Sequence, residues 1–166
     1  MGLKSYYKKN LYEAGCDEAG RGCLAGPVVA AAVWWPEEIR HEMIRDSKKL
    51  SAIQREKMAE FIQTHAKAYA VAEVSHEEID QINILKASIL AMHKAIELLK
   101  IHIDLLLIDG NRFYPYKDIP YHCIVKGDSK YISIAAASIL AKTRRDQIMK
   151  DYHRDFPEYH FNQNKG

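Results

Sequence analysis

The sequence predicts an α/β domain, and three features point to it. Two apolar stretches, Leu11–Cys16 and Pro27–Trp35, flank a Gly20-Arg21-Gly22 break and read as a hairpin of antiparallel strands. The apolar stretch Ile103–Ile108 comes after a long helical segment and reads as a strand buried on both faces, reached by a helical crossover. Finally, Ile132 to about His153 reads as one long helix, rich enough in small residues to pack closely on a sheet.

In chain order, the first strand delivers Asp17 and Glu18 at its end, where the glycines turn the chain into the second strand. Glu37–Arg45 reads as a short helix. Ser51 with Gln54 makes a capping box, in which side chain and backbone satisfy each other's first-turn donors, and opens a helix to about His65. Ala68–Val74 alternates as a strand does. Ser75 with Glu78 makes a second capping box before helical sequence running to about Lys100. Within it Ile82, Leu85, Ile89, Met92, Ile96 and Leu99 recur at spacings of three and four, a stripe that faces a core. The buried strand then ends at the turn Asp109-Gly110-Asn111, and His122–Val125 reads as a last short strand.

A chain of 166 residues, 48% hydrophobic and 28% charged, is long enough for one domain with a real core. The three cysteines, Cys16, Cys23 and Cys123, are odd in number and lack C-x-x-C spacing, which argues against a disulfide framework or a thiolate zinc site and for a reducing, cytoplasmic setting. No apolar run reaches the roughly 18 residues of a membrane span, and the lysine-bearing start MGLKSYYKKN has no apolar stretch behind it, so no membrane partner is expected. Residues 1–109 carry 14 Lys/Arg against 16 Asp/Glu, whereas residues 110–166 carry 10 against 6, an asymmetry that permits a polyanionic partner.

Several apparent motifs fail on physical grounds. Gly20-Arg21-Gly22-Cys23-Leu24-Ala25 satisfies the dinucleotide pattern, but that pattern needs a helix next to hold the pyrophosphate, and Pro27-Val28-Val29 begins a strand. His41-Glu42 and His76-Glu77 start H-E-x-x-H without its second histidine, since Arg45 and Asp80 stand there. What remains are carboxylates at strand ends: Asp17-Glu18 and Asp109. In open α/β sheets the carboxyl ends of strands form the ligand crevice. Asp17 and Glu18 can face one site only if the strand breaks there, because neighbours on an extended chain point to opposite faces. Crowded carboxylates raise one another's pKa unless a cation joins them, and Mg²⁺ or Mn²⁺ prefers such oxygens. For any single acid, a turn or cap role is the commoner one; the pair together with Asp109-Gly110-Asn111 favours a metal.

These residues resemble the bacterial ribonuclease HII family. Cys16-Asp17-Glu18-Ala19-Gly20-Arg21-Gly22, followed by Leu24-Ala25-Gly26-Pro27-Val28, looks like its signature. Further blocks follow in order: Asp46-Ser47-Lys48-Lys49-Leu50-Ser51, Leu106-Leu107-Ile108-Asp109-Gly110-Asn111 and Lys126-Gly127-Asp128-Ser129-Lys130. The last is Ala136-Ala137-Ser138-Ile139-Leu140-Ala141-Lys142 with Arg145-Asp146. The resemblance implies a ribonuclease H-like fold, a central mixed five-stranded sheet flanked by helices. It implies a monomeric endonuclease that cuts RNA in RNA/DNA hybrids and cuts 5′ of single ribonucleotides in duplex DNA, leaving 3′-hydroxyl and 5′-phosphate ends. By the same resemblance Asp17, Glu18, Asp109 and Asp128 are the catalytic acids that hold two Mn²⁺ or Mg²⁺ ions, and no side-chain nucleophile is expected.

Asp146 competes with Asp128 for the fourth position. The two are 18 residues apart, about 27 Å along a straight helix, so one metal pair cannot take both. Asp128 follows a strand and precedes the long helix, whereas Asp146 lies deep in that helix beside Arg144 and Arg145, where ion pairing is expected. Gly20, Arg21 and Gly22 resemble the family element whose backbone reads the ribose 2′-hydroxyl. Lys48, Lys49, Lys130, Lys142 and Arg145 are the phosphate candidates. In relatives a tyrosine that stacks on the ribonucleotide sugar follows Asn164-Lys165-Gly166, and helical segments follow it. Residues 1–166 are therefore expected to be a single catalytic domain truncated at its C-terminus. The related ribonuclease HIII commonly adds an N-terminal domain; with roughly ten residues before the first strand, that reading is the less favoured expectation. A truncated hybrid-binding module with little or no cleavage is the alternative of a different class.

Overall fold

The computed structural model describes residues 2–22, 25–45 and 47–155, so Cys23, Asp46 and the ending Asn164-Lys165-Gly166 fall outside the described residues. β1 (Glu13–Ala19) and β2 (Val28–Trp34) form the expected antiparallel hairpin, with Cys16 opposite Ala32. β3 (Ala68–Val74) extends it on the far side of β2, also antiparallel. On the other side of β1 the chain returns in parallel, first as β4 (Leu105–Asp109) and then as β5 (Tyr121–Ile124). The result is one mixed sheet in the order β3-β2-β1-β4-β5.

Strand alternation sorts the apolar side chains onto two faces. Ala14, Cys16, Ala30, Ala32, Leu106 and Ile108 pack against α3 (Ile84–Leu99), whose Ile89, Met92, Ile96 and Leu99 are buried as the stripe requires. Val29, Ala31 and Val33 point the other way, against α1 (Ala52–His65) and α4 (Ile132–Asp155). The Ser51 capping box is present at the start of α1. No helix among the described residues is long and apolar enough to cross a membrane.

Three expectations change. Glu37–Arg45 forms turns instead of a helix. Its backbone is drawn into isolated bonds, Ile39 N–H to Pro36 O and Ile44 N–H to His41 O, while His41 Nδ1 accepts the Met43 N–H at 3.0 Å. Such local side-chain bonds compete with a helical ladder. The segment from Ser75 to about Lys100 is two helices, α2 (His76–Ile82) and α3, because Asn83 takes φ +74° between them. Asn83 ends the first helix by donating its N–H to Ile79 O and caps the second by accepting the Lys86 N–H. Lastly, β1 does not stop before the acids: it runs through Asp17 and Glu18 to Ala19.

α4 crosses β1 at Gly15, where a Cβ would lie 2.4 Å from the Ser133 carbonyl carbon and 2.5 Å from Ile134 N. Because the obstacle is backbone, no side-chain rotation relieves it. Gly15→Ala is therefore expected to lower stability by roughly 1–3 kcal/mol, read as a lower urea midpoint; an unchanged midpoint would contradict the close approach.

Candidate functional site

The parallel pairing of β1 and β4 brings both carboxyl ends to one edge of the sheet. Gly15 stands beside Leu107 and Cys16 beside Ile108, and the next step of this register sets Asp17 alongside Asp109, on the face that α4 covers. Alternation starts the Glu18 side chain on the opposite face, for its backbone still pairs with Ala30. Pairing with β4 ends at Cys16, however, so the sheet is open beside Glu18, and its carboxylate reaches the same cavity. The strand break expected from the sequence is thus replaced by the end of a neighbouring strand. Asp128 comes from the tight turn Gly127–Ser129 ahead of α4 and donates its N–H to Asp109 Oδ1 at 3.3 Å.

Asp17, Glu18, Asp109 and Asp128 all line one cavity of about 380 Å³. Burial holds the Asp17 carboxyl well above its ordinary range; the charges of Glu18, Asp109 and Asp128 push the same way, against one donated N–H from Glu18 at 2.8 Å. Glu18 is pushed up to about 7 by burial and then by Asp109, opposed by the Arg21 guanidinium 3.9 Å away. Its Oε2 is buried without a hydrogen-bond partner. Among the described residues no three acids converge into a ready-made ligand set. The fit to a hard divalent cation rests instead on an acidic oxygen donor set and on that unsatisfied oxygen.

The other predicted residues divide. Gly20, Arg21, Gly22, Lys48 and Lys142 line the same cavity. Lys49 lines a neighbouring one with Arg45 and Ser129, and Lys130 is an exposed residue whose carbonyl accepts the Lys4 N–H, outside the cavity wall. Arg145 is corrected: it is fully buried, its Nε donating to Pro27 O at 3.1 Å and its Nη2 to Ala25 O at 2.6 Å, so it grips the glycine-rich loop and not a phosphate. That grip explains Gly20, which has φ +97° and where a Cβ would meet Arg145 Nε at 2.3 Å. Asp146 is ion-paired as expected, but with Arg55 and Lys142 in place of Arg144 and Arg145. Sequence reasoning passed over Ser47 and Ser138, two cavity residues whose hydroxyls are hydrogen-bonded at 2.9 Å. The available signals were their places in two of the family-resembling blocks and the spacing of four between Ser138 and Lys142.

The ribonuclease HII family model matches residues 14–166. A ribonuclease HII of Parabacteroides distasonis is 59% identical over 164 residues, which cover 99% of this chain and 82% of that protein. Among solved structures, the ribonuclease H2 of Pyrococcus horikoshii is similar with a TM-score of 0.75 and 28% identity, covering 89% of this chain and 78% of that one. Bst-RNase HIII, solved in complex with Mn²⁺, shares the fold at a TM-score of 0.72 and 22% identity, covering 87% of this chain and 55% of that one.

The pKa of Glu18 carries a stability consequence. With its proton bound up to about pH 7 in the fold and only to about 4.5 when unperturbed, the folded state holds more protons than the unfolded chain between those values. Stability without metal therefore falls as pH rises through that window and levels off above it. Glu18→Gln removes the penalty, so in the presence of chelator the variant is expected to melt above the wild type at pH 8 and by a smaller margin at pH 5. Equal margins in the two thermal scans would rule this out.

Proposed function

The chain belongs to the ribonuclease HII family and is a ribonuclease H, and we propose that it cuts the RNA strand of RNA/DNA hybrids and cuts 5′ of single ribonucleotides embedded in duplex DNA, leaving 3′-hydroxyl and 5′-phosphate ends. The observation that carries this reading is the single cavity that unites Asp17, Glu18, Asp109 and Asp128 with the Gly20-Arg21-Gly22 backbone and two lysines. Two Mn²⁺ or Mg²⁺ ions held by the four carboxylates would supply an activated water and neutralise charge at the leaving oxygen.

The chain's own groups bind and orient. A Cβ at Gly22 would meet no described residue within 4 Å, so among those residues the backbone there is open to close approach by a ribose, and a 2′-hydroxyl is what distinguishes RNA from DNA. Lys48 and Lys142 line the same cavity and would meet the phosphates, giving attraction that is independent of sequence and sensitive to salt. Among the described residues no histidine lines the cavity, and the hydroxyls of Ser47 and Ser138 are hydrogen-bonded to each other. Among these residues no hydroxyl has a base to activate it, which supports attack by water.

An end-labelled DNA duplex carrying one ribonucleotide tests the proposal. The expected result is a single cut 5′ of the ribonucleotide with Mn²⁺ or Mg²⁺, abolished by chelation. Asp109→Asn is expected to slow it by a thousandfold or more, about 4 kcal/mol. Tight binding of the duplex by folded protein with no metal-dependent cut would identify a hybrid-binding module instead.

A further inference from the structure

Ser138, Lys142 and Asp146 repeat at a spacing of four along α4, which aligns them in a stripe. Two of the three line the carboxylate cavity and the third does not. Ser138 holds the Ser47 hydroxyl, Lys142 lines the cavity, and Asp146, outside that lining, pairs with Lys142. Asp146 Oδ2 accepts from Arg55 Nη2 at 3.1 Å, and its Oδ1 faces Lys142 Nζ at 3.4 Å. Arg55 in turn donates Nη1 to Ser47 O at 3.2 Å and Leu50 O at 2.7 Å, clamping the Ser47–Lys49 turn that carries Lys48.

The Asp146 and Arg55 side chains are only 8% and 12% exposed. A buried ion pair of this kind contributes little net stability, because desolvation offsets the attraction. Its geometry has a clearer use: one carboxylate touches Lys142 directly and reaches Lys48 through Arg55. We propose that Asp146 is a positioning residue that sets these two lysines for the phosphates of the substrate strand, an inference that rests on the nucleic-acid reading above. Lys142 keeps a third of its side chain exposed, and its ammonium has three donors, so the contact with Asp146 leaves it able to meet a phosphate.

The test has a sign that distinguishes positioning from plain charge. Removing a negative charge beside a phosphate site should tighten binding if charge alone matters. If Asp146 positions the lysines, Asp146→Asn raises both Kd for a labelled RNA/DNA hybrid and KM roughly five- to tenfold, with kcat within about twofold. Asp146→Glu recovers part of the loss. Lys142→Met weakens binding as well, and the double variant with Asp146→Asn falls short of the product of the two effects. Arg55→Lys keeps the charge and loses the fork on two carbonyls, so it provides the same KM-against-kcat split should Asp146→Asn fold poorly. Unchanged or tighter binding in folded Asp146→Asn, an unchanged KM in Arg55→Lys, or multiplicative effects in the double variant would overturn the role. A wild type that neither binds nor cuts the hybrid would overturn the nucleic-acid reading itself, whereas a wild type that cuts beside variants that match it overturns only Asp146.

Discussion

Asp17 and Asp109 stand at the carboxyl ends of adjacent parallel strands, with Glu18 and Asp128 close enough for their charges to be felt, and this repulsion constrains everything around it. Such a cluster is unfavourable wherever it is buried. It persists because strong, unrelated interactions hold the strands: an apolar sheet covered by α3 on one face and by α1 and α4 on the other. The acids do not choose their places; the register of β1 on β4 chooses for them.

α4 is the element that converts this sheet into a site. It approaches β1 closely enough to require glycine at position 15, which sets its first turns beside the acids. Further along, Arg145 turns inward and grips the carbonyls of Pro27 and Ala25, so the Gly20-Arg21-Gly22 loop is anchored from behind while Gly22 stays open in front. One helix therefore supports the loop, the lysine and the turn that surround the carboxylates. Rigid elements carry the groups whose geometry matters, as precise chemistry requires.

The electrostatic pattern is complementary around a short span. Four carboxylates, Lys48 and Lys142 line the same cavity, so acidic groups suited to a cation and ammonium groups suited to a phosphate share one wall. A polyanionic strand alone would be repelled by the carboxylates, and the lysines alone would bind any anion. The two together suit a phosphodiester bridged to cations.

Much of this was legible in the chain because it is local. The Ser51 capping box, the α3 stripe and the apolar β4 each depend on residues a few positions apart, and the structure contains all three. Asp17, Glu18 and Asp109 could likewise be named from their place at the ends of strands, whereas Asp128, in the Gly127–Ser129 turn, entered through the family resemblance. The missed features join distant residues: Arg145 meets Pro27 across 118 positions, and Asp146 meets Arg55 across 91. A sequence shows an arginine beside Asp146 and suggests a local pair, yet on a helix adjacent residues point apart, and each takes the partner that packing brings to its own side. Hydrophobic period and caps act over one or two turns, so the order of residues is enough to show which segments bury themselves and which acids lie at their ends. Which charged side chains face the cavity and which turn away from it depends on how one helix lies across one strand, and that is settled by packing between distant parts of the chain.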